Sequence, residues 1–206
     1  NGRRVGLPSD DTQLAFWTLE HLLAHDGYVP AALAMRFSQQ PIFGVGASVR
    51  EFLKNFKDDG LPWQQAGPES AGNGAVMRIA PMLIPHLRDP SAELWTDVAL
   101  SAMTTHNDNA SIASCLAFIA MLWDLTGMPS LPEPDWWVHA FVRHARDLEL
   151  PGATYQARGG LYADYSGSFS QFIEERVHDA ARRGLSTRVA CDEWYSGAYL
   201  LETMPC

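Results

Sequence analysis

Ser9-Asp10-Asp11-Thr12 places two adjacent carboxylates between hydroxyls, directly before a strongly apolar run. Carboxylate and hydroxyl oxygens are suitable donors for a hard divalent cation such as Mg or Mn. Two carboxylates pointing together repel each other unless a cation or a proton intervenes. The same residue types also finish helix N-termini, where they accept from free N–H groups and suit the positive end of the dipole. The tetrapeptide is therefore either a cation site or a helix cap. A second constellation is Ala71-Gly72-Asn73-Gly74-Ala75-Val76-Met77-Arg78. Its glycines allow close backbone approach and unusual dihedrals, and Asn73 offers both a donor and an acceptor. A helix beginning near Ala75 would aim N–H groups at a phosphate or sugar oxygen; the plainer reading is a tight turn.

A third lies in Thr104-Thr105-His106-Asn107-Asp108, between two apolar segments, where His106 either meets a substrate or closes a helix end. His21 and His25 have i, i+4 spacing, but Leu-Leu-Ala between them lacks the glutamate of a zinc-protease helix. No GxSxG, Walker A or GxGxxG motif is present. Gly159-Gly160 reads as a flexible loop, and the seven tryptophans read as core more readily than as sugar platforms.

The elements that must position these groups read as helical. Residues 11–24 carry Leu14, Trp17, Leu19, Leu22 and Leu23 on a broad apolar face ended by Gly27. Pro30 fits the first turn of a second helix through Phe37. A third helix spans 45–56, before Gly60 and Pro62. Residues 75–84 are helical in part, limited by Pro81 and Pro85. Pro90 opens a helix to about Thr104. Residues 110–124 are apolar almost all round, as a buried central helix is. Residues 136–148 are amphipathic, 151–168 form a long loop rich in Gly and Tyr, and 170–183 and 194–203 are the last helices. Strand alternation is nowhere sustained. The expectation is an all-α fold, a single compact multi-helix domain over 1–206.

With 206 residues and 47% apolar content the chain can bury a sizeable core. A net charge of -9, with only the pairs Arg3-Arg4 and Arg182-Arg183 as local basic groups, disfavours duplex nucleic acid and anionic membranes as partners. A phosphate-bearing substrate would need cations, single arginines or helix N-termini in the site. Three scattered cysteines do not form a disulfide framework, and with no signal-peptide pattern they suggest a reducing, cytoplasmic compartment. The longest apolar stretch, 112–123, is short for a bilayer span. The opening NGRRVGLPSDD and the closing LLETMPC both read as interior sequence, which suggests a fragment whose Leu200 and Leu201 would be left exposed.

Taken in order, SDDTQLAFWTLEHLL, AGNGAVMRIAP, TTHNDNASIASCLAFIAMLW and WYSGAYLLET resemble the ADP-ribosylglycohydrolase family, which includes the dinitrogenase-reductase-activating glycohydrolases. The similarity runs from about Gly2 to the last residue. The resemblance implies an ADP-ribosylglycohydrolase-like all-helical fold with a centre of Mg or Mn, two ions in the complete enzyme. It implies hydrolytic removal of ADP-ribose from a modified protein side chain or a small-molecule acceptor. It further implies Ser9, Asp10 and Asp11 as metal ligands, Asp10 and Asp11 as the catalytic pair, and Gly72, Asn73, Gly74 and His106 as substrate-binding residues.

Serine in place of the family's threonine keeps the hydroxyl and loses the stiffening methyl. The family's opening Gly-Asp-Ala helix and its Asp-x-Asp-Thr motif do not occur here, so the chain carries half of the metal ligands. Asp164 and Asp192-Glu193 do not replace them. A non-catalytic ADP-ribose- or nucleotide-binding module, or a structural helical module, is the alternative. Acceptor and oligomeric state are not legible.

Overall fold

The apolar run after the acidic pair forms α1 (Asp10–His25), in which Leu14, Trp17, Thr18, His21 and Leu22 are buried. That is the i, i+3, i+4, i+7, i+8 stripe of an amphipathic helix. Leu23, expected on this face, is 77% exposed. Thr18 and His21 take the inward places with bonds that satisfy the Thr18 hydroxyl and one ring nitrogen of His21, its Nδ1 being buried without a partner among the described residues. The Thr18 hydroxyl donates to the Leu14 carbonyl at 2.8 Å, and His21 Nε2 accepts the Val29 N–H at 3.0 Å. The helix stops where Asp26 turns left-handed at φ 52° and Gly27 follows. The computed structural model describes residue 6, residues 8–88 and residues 91–206; Arg3-Arg4 and Pro90 lie outside the described residues.

Helix α2 (Pro30–Ser38) begins on its proline. Helix α3 (Ala47–Leu53) is shorter than expected, because Lys54–Asp58 continue it as a π-helical turn with Phe56 stacked on Phe52 at 5.6 Å. Pro62 introduces the short α4 (Trp63–Ala66), which periodicity did not signal. The helix expected from Ala75 is replaced by 3-10 turns at Val76–Arg78 and Ala80–His86. Pro81 and Pro85 remove two N–H donors there, and the tighter turns take over.

Next come α5 (Ala92–Thr105), α6 (Asn109–Thr126), α7 (Pro134–Leu148), α8 (Phe169–Arg182), α9 (Thr187–Trp194) and α10 (Leu200–Thr203). The expected helix over 194–203 is broken at Tyr195, which is left-handed at φ 59°. The 151–168 loop holds two short antiparallel strands, β1 (Tyr155–Gln156) and β2 (Ser166–Gly167), with Tyr155 opposite Gly167. Helices otherwise dominate the described residues, and the all-α class holds.

Helix α6 is the axis of the core. Ala110, Ala113, Ala117 and Met121 face α7, α8 and α10. Cys115, Leu116 and Ile119 face α1, α5 and the 3-10 turn at 80–86. Partners on two sides explain why its sequence is apolar all round. Its 18 residues meet the length and composition of a membrane span, beyond the 12 apolar residues read from sequence, but this helix is built into the core. A third cluster joins α1, α2 and α3 through Leu14, Trp17, Phe37, Val49 and Phe52. Leu200 and Leu201, expected to be exposed, are buried in the first cluster. Ile119→Ala should destabilise the chain by about 2–5 kcal/mol through the cavity it leaves. A urea titration in which the midpoint does not move would show that α6 is not the central packing element.

Candidate active site

The first residues of α1 open onto a cavity of about 530 Å³. Its walls come from distant parts of the chain: Asp10 and Asp11, the 44–49 turn into α3, the 70–74 loop, His106 at the end of α5, Arg158, and Ala198-Tyr199 before α10. The 70–74 loop is tied on both sides. Ser70 Oγ lies 2.7 Å from Ser48 Oγ. The Asn73 N–H donates to the Ala198 carbonyl at 2.9 Å and the Leu200 N–H to the Ala71 carbonyl at 3.0 Å, so Gly72 and Tyr199 form an antiparallel bridge. Of the residues singled out from sequence, Asp10, Asp11, Gly72, Asn73, Gly74 and His106 line this one cavity; Ser9 does not. None of the tryptophans lines it.

At the acidic end, the simple capping reading fails for Ser9. It occupies the N-cap position, yet its side chain accepts no backbone N–H. Its hydroxyl instead donates to Asp11 Oδ2 at 3.0 Å. Asp10 is pushed above the usual carboxylate range, first by partial burial and then by the Asp11 charge, against the pull of backbone N–H groups including that of Gly46. Two carboxylates and a hydroxyl thus meet with no basic side chain paired to either acid among the described residues. This oxygen donor set fits a hard divalent cation in kind. It is incomplete in number, since no group of three or more His, Cys, Asp or Glu gathers there among the described residues.

The glycines of the 70–74 loop have a different reason from the one their type suggests. Neither Gly72 nor Gly74 has positive φ. A Cβ on Gly74 would stand 2.6 Å from His106 Cε1, and one on Gly72 would stand 3.2 Å from His106 Nε2. The loop is glycine-rich because the imidazole lies flush against it. No α-helix starts at Ala75, so the helix N-terminus expected to hold a phosphate is not supplied. His106 is 2% exposed. Its pKa is pushed down to about 3, mainly by burial and further by the nearby Arg78 guanidinium, so the ring is neutral at ordinary pH.

Arg158 and Tyr199 were missed from sequence. Arg158 is the cationic side chain of the lining, and its guanidinium sits 4.5 Å over the Tyr199 ring. Buried Glu202 holds it from below, with Arg158 Nε donating to Oε1 at 2.6 Å and Nη2 to Oε2 at 2.7 Å. A glutamate inside the apolar run YLLET was the available signal, since such a charge needs a partner. Gly159-Gly160, read as flexible, is packed: a Cβ on Gly160 would stand 2.1 Å from the Glu193 carbonyl oxygen. This packing anchors the segment that carries Arg158. Of the His21–His25 pair, His21 Nε2 accepts the Val29 N–H and His25 Nδ1 donates to the His21 carbonyl at 2.9 Å.

Comparison with known proteins finds a family model, described as ADP-ribosylglycohydrolase, that matches residues 2–206. A protein of Pseudomonas putida (strain GB-1) named ADP-ribosylarginine hydrolase Tri1 is 33% identical over 81 residues. That alignment covers 39% of this chain and 22% of the relative.

Two outcomes follow from the geometry. Gly74→Ala should lower stability by about 1–3 kcal/mol, since the added methyl must displace His106 or the loop; an unchanged thermal midpoint would refute the close contact. The second concerns pH. His21 is held down to about 4 and His106 to about 3, whereas both titrate near 6.5 when unfolded. Below about pH 6.5 the unfolded chain takes up protons that the folded one refuses. The contribution of both rings is therefore complete above that pH and falls as pH drops toward their folded values. Urea midpoints at pH ~7 and pH ~5 should differ accordingly, and His106→Gln should flatten the difference.

Proposed function

A chain matched by this family from residue 2 to residue 206 belongs to the ADP-ribosylglycohydrolase family, and from that premise we propose that it hydrolyses the bond between ADP-ribose and a modified protein side chain or a related acceptor. The observation that carries the reading is the convergence of Asp10-Asp11, the Gly72-Asn73-Gly74 loop, His106 and Arg158 on one cavity of ligand size. Arginine is the first acceptor to test, because the curated relative is named for ADP-ribosylarginine.

The cavity is electrically bipolar. Asp10 and Asp11 make one region acidic, and Arg158 makes another basic. Arg158 and the polar groups of the 70–74 loop suit a diphosphate, for which charge-assisted hydrogen bonds are the strong ones. The acidic pair suits the ribose hydroxyls and the positive charge that develops as the glycosidic bond breaks. Asp10, which lines the cavity and whose pKa is raised first by partial burial and then by the Asp11 charge, takes a proton from an incoming water. Water oxygen then bonds to the anomeric carbon while the C–N or C–O bond breaks, and the acceptor leaves with a proton. Ser9, Asp10 and Asp11 would hold Mg or Mn, which would stabilise oxygen charge and help orient substrate.

Calorimetry of this chain with ADP-ribose, with Mg or with EDTA, tests binding. Affinity is expected to fall at least tenfold with EDTA and equally with Asp10→Asn, and release of ADP-ribose from ADP-ribosylated arginine is expected to stop in that variant. Failure to bind ADP-ribose under any condition sinks the proposal. Binding that ignores EDTA and Asp10→Asn identifies a recognition module instead.

A further inference from the structure

We infer that Arg78, which does not line the cavity, is a positioning residue that sets the tautomer of His106 through Thr105, so that His106 presents an Nε2–H donor to an oxygen of the bound substrate. The inference deepens the reading of the cavity as a substrate site and rests on it only for the identity of that oxygen.

The Arg78 guanidinium is 0% exposed. Among the described residues no carboxylate pairs with it. Phe37 of α2 covers it at 5.1 Å. Tyr28 and Cys115 face it, and burial keeps both protonated, the thiol pushed up to about 12. What holds Arg78 is the last turn of α5. Its Nη1 donates to Ser101 Oγ at 3.0 Å, and its Nη2 donates to the Ser101 carbonyl at 2.7 Å and to Thr105 Oγ1 at 2.7 Å. Burying a guanidinium without a carboxylate is costly, so the position needs a reason beyond packing.

Proton counting supplies one. Thr105 Oγ1 already accepts from Arg78 and lies 3.0 Å from His106 Nδ1. A hydroxyl carries one hydrogen. If Nδ1 also held a proton, two N–H groups would point at Thr105 Oγ1, and the hydroxyl hydrogen would be left without the one acceptor it faces. The satisfied arrangement runs from the Arg78 N–H to Thr105 Oγ1, and from the Thr105 O–H to Nδ1. The ring proton then resides on Nε2, beside Gly72 and Gly74 on the cavity wall. Arg78 also opposes a second proton on the ring, so the donor is neutral and does not compete with Arg158 as a charge. Lysine would not substitute well, since a planar fork reaches Ser101 and Thr105 together.

The test is a long-range proton–nitrogen NMR spectrum of the full chain with labelled histidine. His106 is expected as the Nε2–H tautomer and neutral at pH ~5. Thr105→Val keeps the volume and the Ser101 bonds of Arg78 but removes the hydroxyl. It should shift His106 toward Nδ1–H and weaken ADP-ribose about tenfold, whereas Thr105→Ser should restore both. Arg78→Lys should show the same tautomer shift in part. A wild-type ring found as Nδ1–H, or a tautomer unmoved by Thr105→Val, overturns the inference. The nitrogen signal reads the relay whether or not ADP-ribose binds, so failure of the functional reading shows separately as lost binding with the tautomer shift intact.

Discussion

The imidazole of His106 lies so close to the 70–74 loop that no side chain fits between them. This contact fixes much of what surrounds it. It requires glycine at position 74, leaves little room for a Cβ at 72, and leaves Asn73 between them on the cavity wall. It buries the ring and so keeps it neutral. It also makes the end of α5, rather than a helix start after the loop, the surface against which the loop is shaped. The serine pair at 48 and 70 and the bridge to Tyr199 then bind the loop to α3 on one side and α10 on the other.

Charge is distributed around that contact with little waste. The chain is acidic overall, yet each of the two arginines beside the cavity is held by a specific device. Arg78 is fully enclosed and anchored on hydroxyls, a carbonyl and a ring face. Arg158 is open to the cavity and braced by buried Glu202. Enclosure spares Arg78 from solvent screening and lets it act on His106, while bracing spares Arg158 the entropy of an unrestrained long side chain. The acidic pair has no such partner among the described residues, and the pKa of Asp10 is raised, first by partial burial and then by the Asp11 charge.

Much of the fold was legible because helices dominate and apolar spacing marks them. The boundaries of α1, α2, α7 and α8 lay close to their sequence signals, and α6 announced its burial by lacking a polar face. The misreadings share a physical cause. Residues 76–86 and 54–58 keep helical spacing but adopt 3-10 and π geometry, which differ from α in hydrogen bonding more than in periodicity. Residues 194–203 look like one helix, but Glu202 caps α10 through the Tyr199 backbone and pairs with Arg158, the second a contact that no local pattern encodes.

Sequence alone determined the helical class, the family resemblance and the residues that gather at the acidic end and the glycine loop, because each is written in local spacing or in short motifs. Only the tertiary structure decided that Ser9 turns to Asp11 instead of capping its helix, that the glycines make room for an imidazole, and that Arg78 and Arg158 serve the cavity. All but the first of those relations join residues tens of positions apart. They depend on which groups are sealed from water together, and burial of that kind is a property of the packed chain, not of any stretch within it.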